Sequence, residues 1–320
     1  MIHFTLRAAT RIRCQALNFT LFIVTILTLL GPGYGVAQGS KLRIVTTTGI
    51  IADTVSQIGG EYVAVSSLMG EGVDPHLYKA SPGDMKRLLE ADLVFHNGLH
   101  LEGKMADALV KLAARKPVFA ISQGIPRPQL RSPDNQPDAI DPHIWFSATL
   151  WQFVIDEITK VLTQHMPHNK ELLLRNSMRL KEEFRTLDTW IKNEISNIPE
   201  ERRILITAHD AFGYYGAAYG IQVLAIQGMS TDSEASLQEI NQLVDTIVSR
   251  KIPAVFVESS VPQKTVHALV EGARAKTHQV IVGGELFSDA LGASGTEVGT
   301  LAGIIRHNTN TIVTALRGEK

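Results

Sequence analysis

Four residues in this chain have side chains suited to holding a cation. His76 lies in Val73-Asp74-Pro75-His76-Leu77-Tyr78 and His143 in Ile140-Asp141-Pro142-His143-Ile144-Trp145. His209 lies in Ile206-Thr207-Ala208-His209-Asp210-Ala211-Phe212, and Asp289 in Leu286-Phe287-Ser288-Asp289-Ala290-Leu291-Gly292. Three imidazoles and a carboxylate suit a borderline divalent ion such as Zn²⁺ and serve Mn²⁺ as well. Two of the four come from each half of the chain, so a shell closed by all four would sit between two lobes. The Asp-Pro before His76 and His143 stiffens both loops. Proline fixes its own φ and biases its predecessor toward extended backbone, and a stiff loop loses less freedom on binding. His100, two residues before Glu102, is the nearest competing donor. His96, His165, His168, His267, His278 and His307 read as surface or hydrogen-bonded core residues.

The elements that must position these residues follow an α/β rhythm. In the first half, short apolar runs at 42–45, 63–68, 93–97 and 118–120 read as strands. Helices are expected over 50–58 and 102–114, and one starts at Ser81-Pro82-Gly83-Asp84, where Ser81 can cap, Pro82 suits the first turn and Asp84 complements the dipole. A proline-rich polar stretch, 123–141, ends at His143. Apolar-periodic helices follow over 148–164 and 169–198, the second about 45 Å long at 1.5 Å per residue. In the second half, strands are expected at 203–208, 223–226, 254–257 and 279–282. Helices are expected over 237–249, 263–275 and 298–316, the first fixed by the capping box Ser236-Leu237-Gln238-Glu239. His209 and Asp289 then fall just beyond strand ends, where open α/β sheets bind their ligands.

Other motifs carry less. Phe212-Gly213-Tyr214-Tyr215-Gly216 reads as packing rather than a ligand wall. Gly292-Ala293-Ser294-Gly295 lacks the lysine and spacing of a phosphate loop. Glu258, after the 254–257 strand, has the chemistry of a base, but a loop hydrogen bond or a helix-dipole role suits its place better.

The first 37 residues read as an export signal. Arg7, Arg11 and Arg13 precede an apolar run at 17–30, and Gly35-Val36-Ala37 offers small residues for cleavage near Ala37. The run is shorter than the roughly 20 residues that span a bilayer. The sole cysteine, Cys14, precedes the apolar run, whereas a lipid-bearing cysteine follows it, so the mature chain is expected to be thiol-free and unanchored. Cleavage removes those three arginines and no acid from a chain with 31 basic and 32 acidic residues. The acidic balance that remains argues against nucleic acid or an anionic membrane as partner. A soluble periplasmic monomer is expected.

On these motifs the chain resembles the TroA-like zinc/manganese receptors of ABC transporters, the helical-backbone metal receptor family. The resemblance covers essentially the whole mature chain: the Asp74-Pro75-His76 loop, Asp141-Pro142-His143-Ile144-Trp145, the long middle helix, His209-Asp210-Ala211-Phe212 before Tyr219-Gly220-Ile221, and Ser288-Asp289-Ala290-Leu291-Gly292. It implies an α/β fold of two lobes, each a mostly parallel sheet flanked by helices, joined by one long rigid helix. The expected boundaries are 1–37 for the signal, 38–165 for the first lobe, 166–200 for the connecting helix and 201–320 for the second lobe. It further implies that His76, His143, His209 and Asp289 hold Zn²⁺ or Mn²⁺ as cargo between the lobes for an ABC permease and its ATPase. Manganese receptors of the family usually carry glutamate where this chain has His209, which points toward zinc. The histidine-rich loop of zinc-specific members is absent here, since the stretch 132–138 is short and has no histidine. Two other readings are an exported zinc-dependent hydrolase with Asp289 or Glu258 as base, and an adhesion protein with a structural metal. A shell of four protein ligands would leave little room for a hydrolytic water, which favours a carrier over an enzyme.

Overall fold

A computed structural model describes residues 41–133 and 138–317. The expected signal segment and its cleavage position lie outside the described residues. In the first half, β1 (Leu42–Thr46), β2 (Val63–Ser67), β3 (Leu93–His96) and β4 (Val118–Ala120) form a parallel sheet in the order β2-β1-β3-β4. Parallel neighbours need crossovers. Three helices supply them: α1 (Gly49–Gly59), α2 (Pro82–Glu90) and α3 (Ala106–Ala113). Thr48 caps α1, and the Ser81/Asp84 capping box starts α2 as its sequence predicts. Helix α3 starts four residues later than the sequence pattern suggests, because Gly103–Met105 forms a tighter 3₁₀ turn ahead of it.

Two long helices follow, α4 (Ala148–His165) and α5 (Lys170–Ser196). The 27 residues of α5 span about 40 Å. Beyond them come β5 (Ile204–His209), α6 (Gly213–Tyr219), β6 (Gln222–Gln227), α7 (Leu237–Ser249), β7 (Ala254–Glu258), α8 (Lys264–Ala275), β8 (Ile281–Leu286) and α9 (Leu301–Arg317). β5 pairs in parallel with β6, and β7 with β8, while β5 runs beside β7. The last strand begins later than the apolar run 279–282 suggests and continues through Gly283-Gly284. Both glycines are required by close packing: a Cβ on Gly283 would lie 2.8 Å from the Phe256 ring and 2.7 Å from Ala315, and one on Gly284 2.5 Å from the Thr311 methyl.

The largest apolar core is shared by both halves. Ile44 and Phe95 from the first sheet, Trp151 and Phe184 from the long helices, and Leu205, Phe256 and Ile304 from the second half belong to one continuous cluster. Each half also has a smaller core of its own. Swinging the halves apart would expose the shared core, at about 25 cal/mol per Å² of apolar surface, so the architecture resists wide hinge opening.

The C-terminal helix ties this frame to the loop after β8. Leu301 N donates to Asp53 Oδ2 on α1 at 2.9 Å. Gly303 packs so closely on the 3₁₀ turn Glu297–Gly299 that an added Cβ would sit 1.7 Å from the Glu297 carbonyl oxygen. That turn is bonded back through Gly292 N to Val298 O, which closes the loop carrying Asp289. Gly303→Ala is therefore expected to cost about 3 kcal/mol or more through forced backbone displacement. Denaturant unfolding of the variant checks this, and a midpoint equal to wild type would contradict it.

Candidate metal centre

His76 sits in the long loop between β2 and α2, held by its own Asp-Pro. Asp74 Oδ1 accepts the backbone N–H of His76 at 2.8 Å. The same turn recurs at the second Asp-Pro, where Asp141 Oδ1 accepts from His143 N at 2.9 Å. The loop of His143 is pinned on several sides. Asn97 Nδ2 donates to Pro142 O at 3.0 Å, Tyr214 Oη donates to Asp141 O at 3.1 Å, and Trp145 Nε1 donates to Ser288 O at 2.9 Å. The Trp145 bond joins His143's turn directly to the segment carrying Asp289. His209 is the last residue of β5, a strand buried along its length. Asp289 follows β8 and accepts from Ser260 Oγ at 3.2 Å.

These four side chains meet. One donor atom from each lies within 4.8 Å of all the others, and all four residues are buried. His76 Nε2 and His143 Nε2 are 3.3 Å apart, His143 Nε2 and Asp289 Oδ1 3.5 Å, and His209 Nε2 and Asp289 Oδ2 3.2 Å. A tetrahedral ion with bonds near 2.0–2.1 Å separates its donors by about 3.3 Å, so three of the contacts already have that spacing. His209 Nε2 and Asp289 Oδ1 are buried without a hydrogen bond, and the 3.2 Å approach is an ion pair rather than an aligned hydrogen bond. Buried polar atoms are almost always satisfied, and two orphans facing one point mark a place for a ligand.

Two imidazoles are oriented from behind by buried carboxylates. His143 Nδ1 donates to Asp141 Oδ1 at 2.8 Å. His209 donates from N to Glu258 Oε1 at 2.8 Å and from Nδ1 to Glu258 Oε2 at 2.5 Å. Donation from Nδ1 leaves Nε2 as the inward-facing nitrogen, the arrangement that raises ligand basicity in metal sites. His76 has no such carboxylate among the described residues.

Electrostatics separate the imidazoles further. Burial pushes His76 down to about 4, opposed by Asp289 and reinforced by His143 and His209. Burial also works to lower His209, but the carboxylates of Glu258 and Asp289 outweigh it and hold this ring well above the ordinary histidine value. Asp289, although buried, is held far below the usual carboxylate range by His209, with His143 and His76 adding to the effect. The pocket is thus poised as a His209 imidazolium against an Asp289 carboxylate, with a neutral His76 beside them.

All four residues named from the sequence come together, whereas His100 is exposed and holds no place in the cluster. Phe212 and Tyr215 pack as expected, Phe212 stacking on Phe146 with ring centroids 4.4 Å apart. Sequence reasoning missed the ring partners of His143 and His209. For Asp141 the signal was present: an aspartate two residues before each Asp-Pro histidine is placed to accept the histidine's N–H. Glu258 had none, because it meets His209 only through the packing of β7 beside β5. Glu258→Gln is expected to weaken metal affinity by about 10- to 100-fold, the usual cost of losing such a partner. Calorimetric titration checks this, and an unchanged affinity would deny Glu258 its orienting role.

Fold and site together define a two-lobed α/β binding protein with a buried cluster of metal-ligand donors between its halves. The chain belongs to the family described as "ZnuA: Zinc-uptake complex component A periplasmic", whose profile matches residues 44–315. Among its relatives, the manganese-binding lipoprotein MntA of Bacillus subtilis (strain 168) is 48% identical over 88% of this chain and 92% of its own length. The zinc-binding protein TroA of Treponema pallidum (strain Nichols) is 43% identical over 88% of this chain and 90% of its own length. The solved structure of the periplasmic zinc-binding protein TroA from Treponema pallidum superposes with a TM-score of 0.84, covering 87% of this chain and 99% of that one. These relatives are named for binding metal and none for catalysis.

Proposed function

We propose that this chain is the exported substrate-binding component of a metal ABC transporter. It captures one Zn²⁺ or Mn²⁺ as cargo with His76, His143, His209 and Asp289 and delivers it to a membrane permease driven by a cytoplasmic ATPase. The observation that carries this reading is the convergence of four buried donors, two from each half, with two of their atoms lacking any hydrogen bond. Relatives named for zinc and for manganese both support the cargo class. Within it, an imidazole-rich set favours Zn²⁺ over Mn²⁺ by intrinsic affinity.

The lobes are assigned to 38–165 and 201–320, joined through 166–200, and the protein acts as a monomer. Export with cleavage near Ala37 places it free in the periplasm. MntA is named a lipoprotein, but the sole cysteine here precedes the apolar run and is lost on cleavage. Among the described residues no helix is long and apolar enough to cross a membrane.

The hydrolase reading loses both of its candidate bases: Glu258 is held on His209 by two hydrogen bonds, and Asp289 stands among the four converging donors. Purification from the native host followed by elemental analysis tests the carrier reading. One zinc or manganese per chain is expected, absent from His76→Ala. A wild-type protein that binds neither metal would overturn it.

A further inference from the structure

The three histidines are not held alike. His143 and His209 each have a buried carboxylate on Nδ1; the His143 loop is fixed by bonds from Asn97 and through Trp145, and His209 ends the buried strand β5. His76 lacks such a carboxylate, and its loop spans residues 68–81 with neither helix nor strand. Among the described residues, the side-chain hydrogen bond that holds that loop from the other half comes from one short segment. Between β6 and α7, Thr231 Oγ1 donates to Asp74 Oδ2 at 2.5 Å, while Asp74 Oδ1 is the atom that accepts His76 N. The next residue, Asp232, pairs with Lys104 Nζ of the first half at 2.8 Å.

A cleft of about 1320 Å³ is lined by His76 from the first half and by Gln227, Ser230 and Ser233, which flank Thr231 and Asp232 in sequence, from the second. The segment is pre-shaped for this reach. Gln227 Nε2 donates to Ser233 O at 3.1 Å, Asp232 N donates to Ser230 Oγ at 3.3 Å, and the Ser236/Glu239 capping box anchors its far end to α7.

We propose that Thr231 and Asp232 form a two-point latch that closes the His76 loop over the bound metal and sets how fast the metal leaves. The proposal rests on the carrier reading above and adds where release begins. The shared core keeps the halves together, so opening must be local. The His143 loop is bonded by Tyr214 from the second half but also by Asn97 from its own, whereas among the described residues Thr231 alone bonds the His76 loop from the other half. Thr231 is the stronger point, because its bond is half-buried and made to a charged group. Lys104–Asp232 is exposed at both ends and contributes less. Thr231 and Asp232 are positioning residues: Thr231 acts on the metal through Asp74 and His76. Asp232 holds the segment in reach.

Stopped-flow chelator exchange on the Zn²⁺-loaded full chain separates the two rate constants. Thr231→Val is expected to raise the dissociation rate about 10- to 100-fold, with the association rate within about twofold of wild type. Thr231→Ser keeps the hydroxyl and should retain the wild-type rate. Asp232→Asn should accelerate release a few-fold, and Lys104→Ala in the same chain should add nothing further. Equal acceleration by Thr231→Ser and Thr231→Val would overturn the latch, as would wild-type dissociation in Thr231→Val. Both results presuppose a wild type that loads metal. A wild type that loads none would overturn the carrier reading instead.

Discussion

Asp289→Ala will bind metal about 100- to 1000-fold more weakly than the wild type. Four-ligand zinc sites contribute about 10–16 kcal/mol at neutral pH, or about 3–4 kcal/mol per ligand, which is two to three orders of magnitude in Kd. Asp289 is also the only carboxylate in the cluster, so its loss leaves three neutral donors around a dication. Thermal unfolding with and without metal reads the effect directly. For the wild type, metal at about 100 times Kd adds about 2.7 kcal/mol of stability. The variant at the same concentration should gain almost none. Equal metal-induced stabilisation of both proteins would exclude Asp289 from the shell.

Metal loading at neutral pH will release a proton from His209. Without metal, Glu258 and Asp289 hold this ring well above the ordinary histidine value against the opposing effect of burial, so near pH 7 its inward nitrogen carries a proton that the ion must displace. As pH falls below that raised value, His209 alone weakens metal affinity about tenfold per pH unit. His76 behaves differently: burial leaves it neutral down to about pH 4, so it adds no competition until then. The metal-free fold has the opposite dependence. A raised imidazole stabilises it fully below pH 6.5, and that contribution is lost as pH rises through the raised value. Acid therefore favours the empty, folded carrier. Calorimetry in buffers of different ionisation enthalpy counts the released protons. About one is expected from His209 near pH 7, and fewer in Glu258→Gln, whose neutral amide no longer supports the imidazolium. Metal binding with no proton release at pH 7 in wild type would contradict the charged His209–Asp289 pair.

The convergence of the four donors was legible in sequence because each carries local context. The two Asp-Pro loops mark His76 and His143, and the strand ends before His209 and Asp289 point them into one crevice. Helix boundaries were legible where side chains cap the backbone, as at Ser81 and Ser236, and the long connecting helix falls within two residues of its periodic pattern. Elements shaped by packing were less so. Gly283 and Gly284 interrupt the apolar run of β8, yet the strand continues, because a side chain would collide with Phe256 and Ala315 at Gly283 and with Thr311 at Gly284. Glu258 on His209 and Thr231 on Asp74 join residues 49 and 157 positions apart. No periodicity or spacing encodes such contacts, because they exist only once both halves have packed.

The most direct test is the crystal structure of the metal-loaded protein with anomalous diffraction at the zinc and manganese edges. A single ion is expected about 2.0–2.2 Å from Nε2 of His76, His143 and His209 and from an Asp289 carboxylate oxygen, with Asp141 still behind the His143 ring and Glu258 behind the His209 ring. An ion bound elsewhere, with His209 still paired to Asp289 and both atoms off the metal, would contradict it.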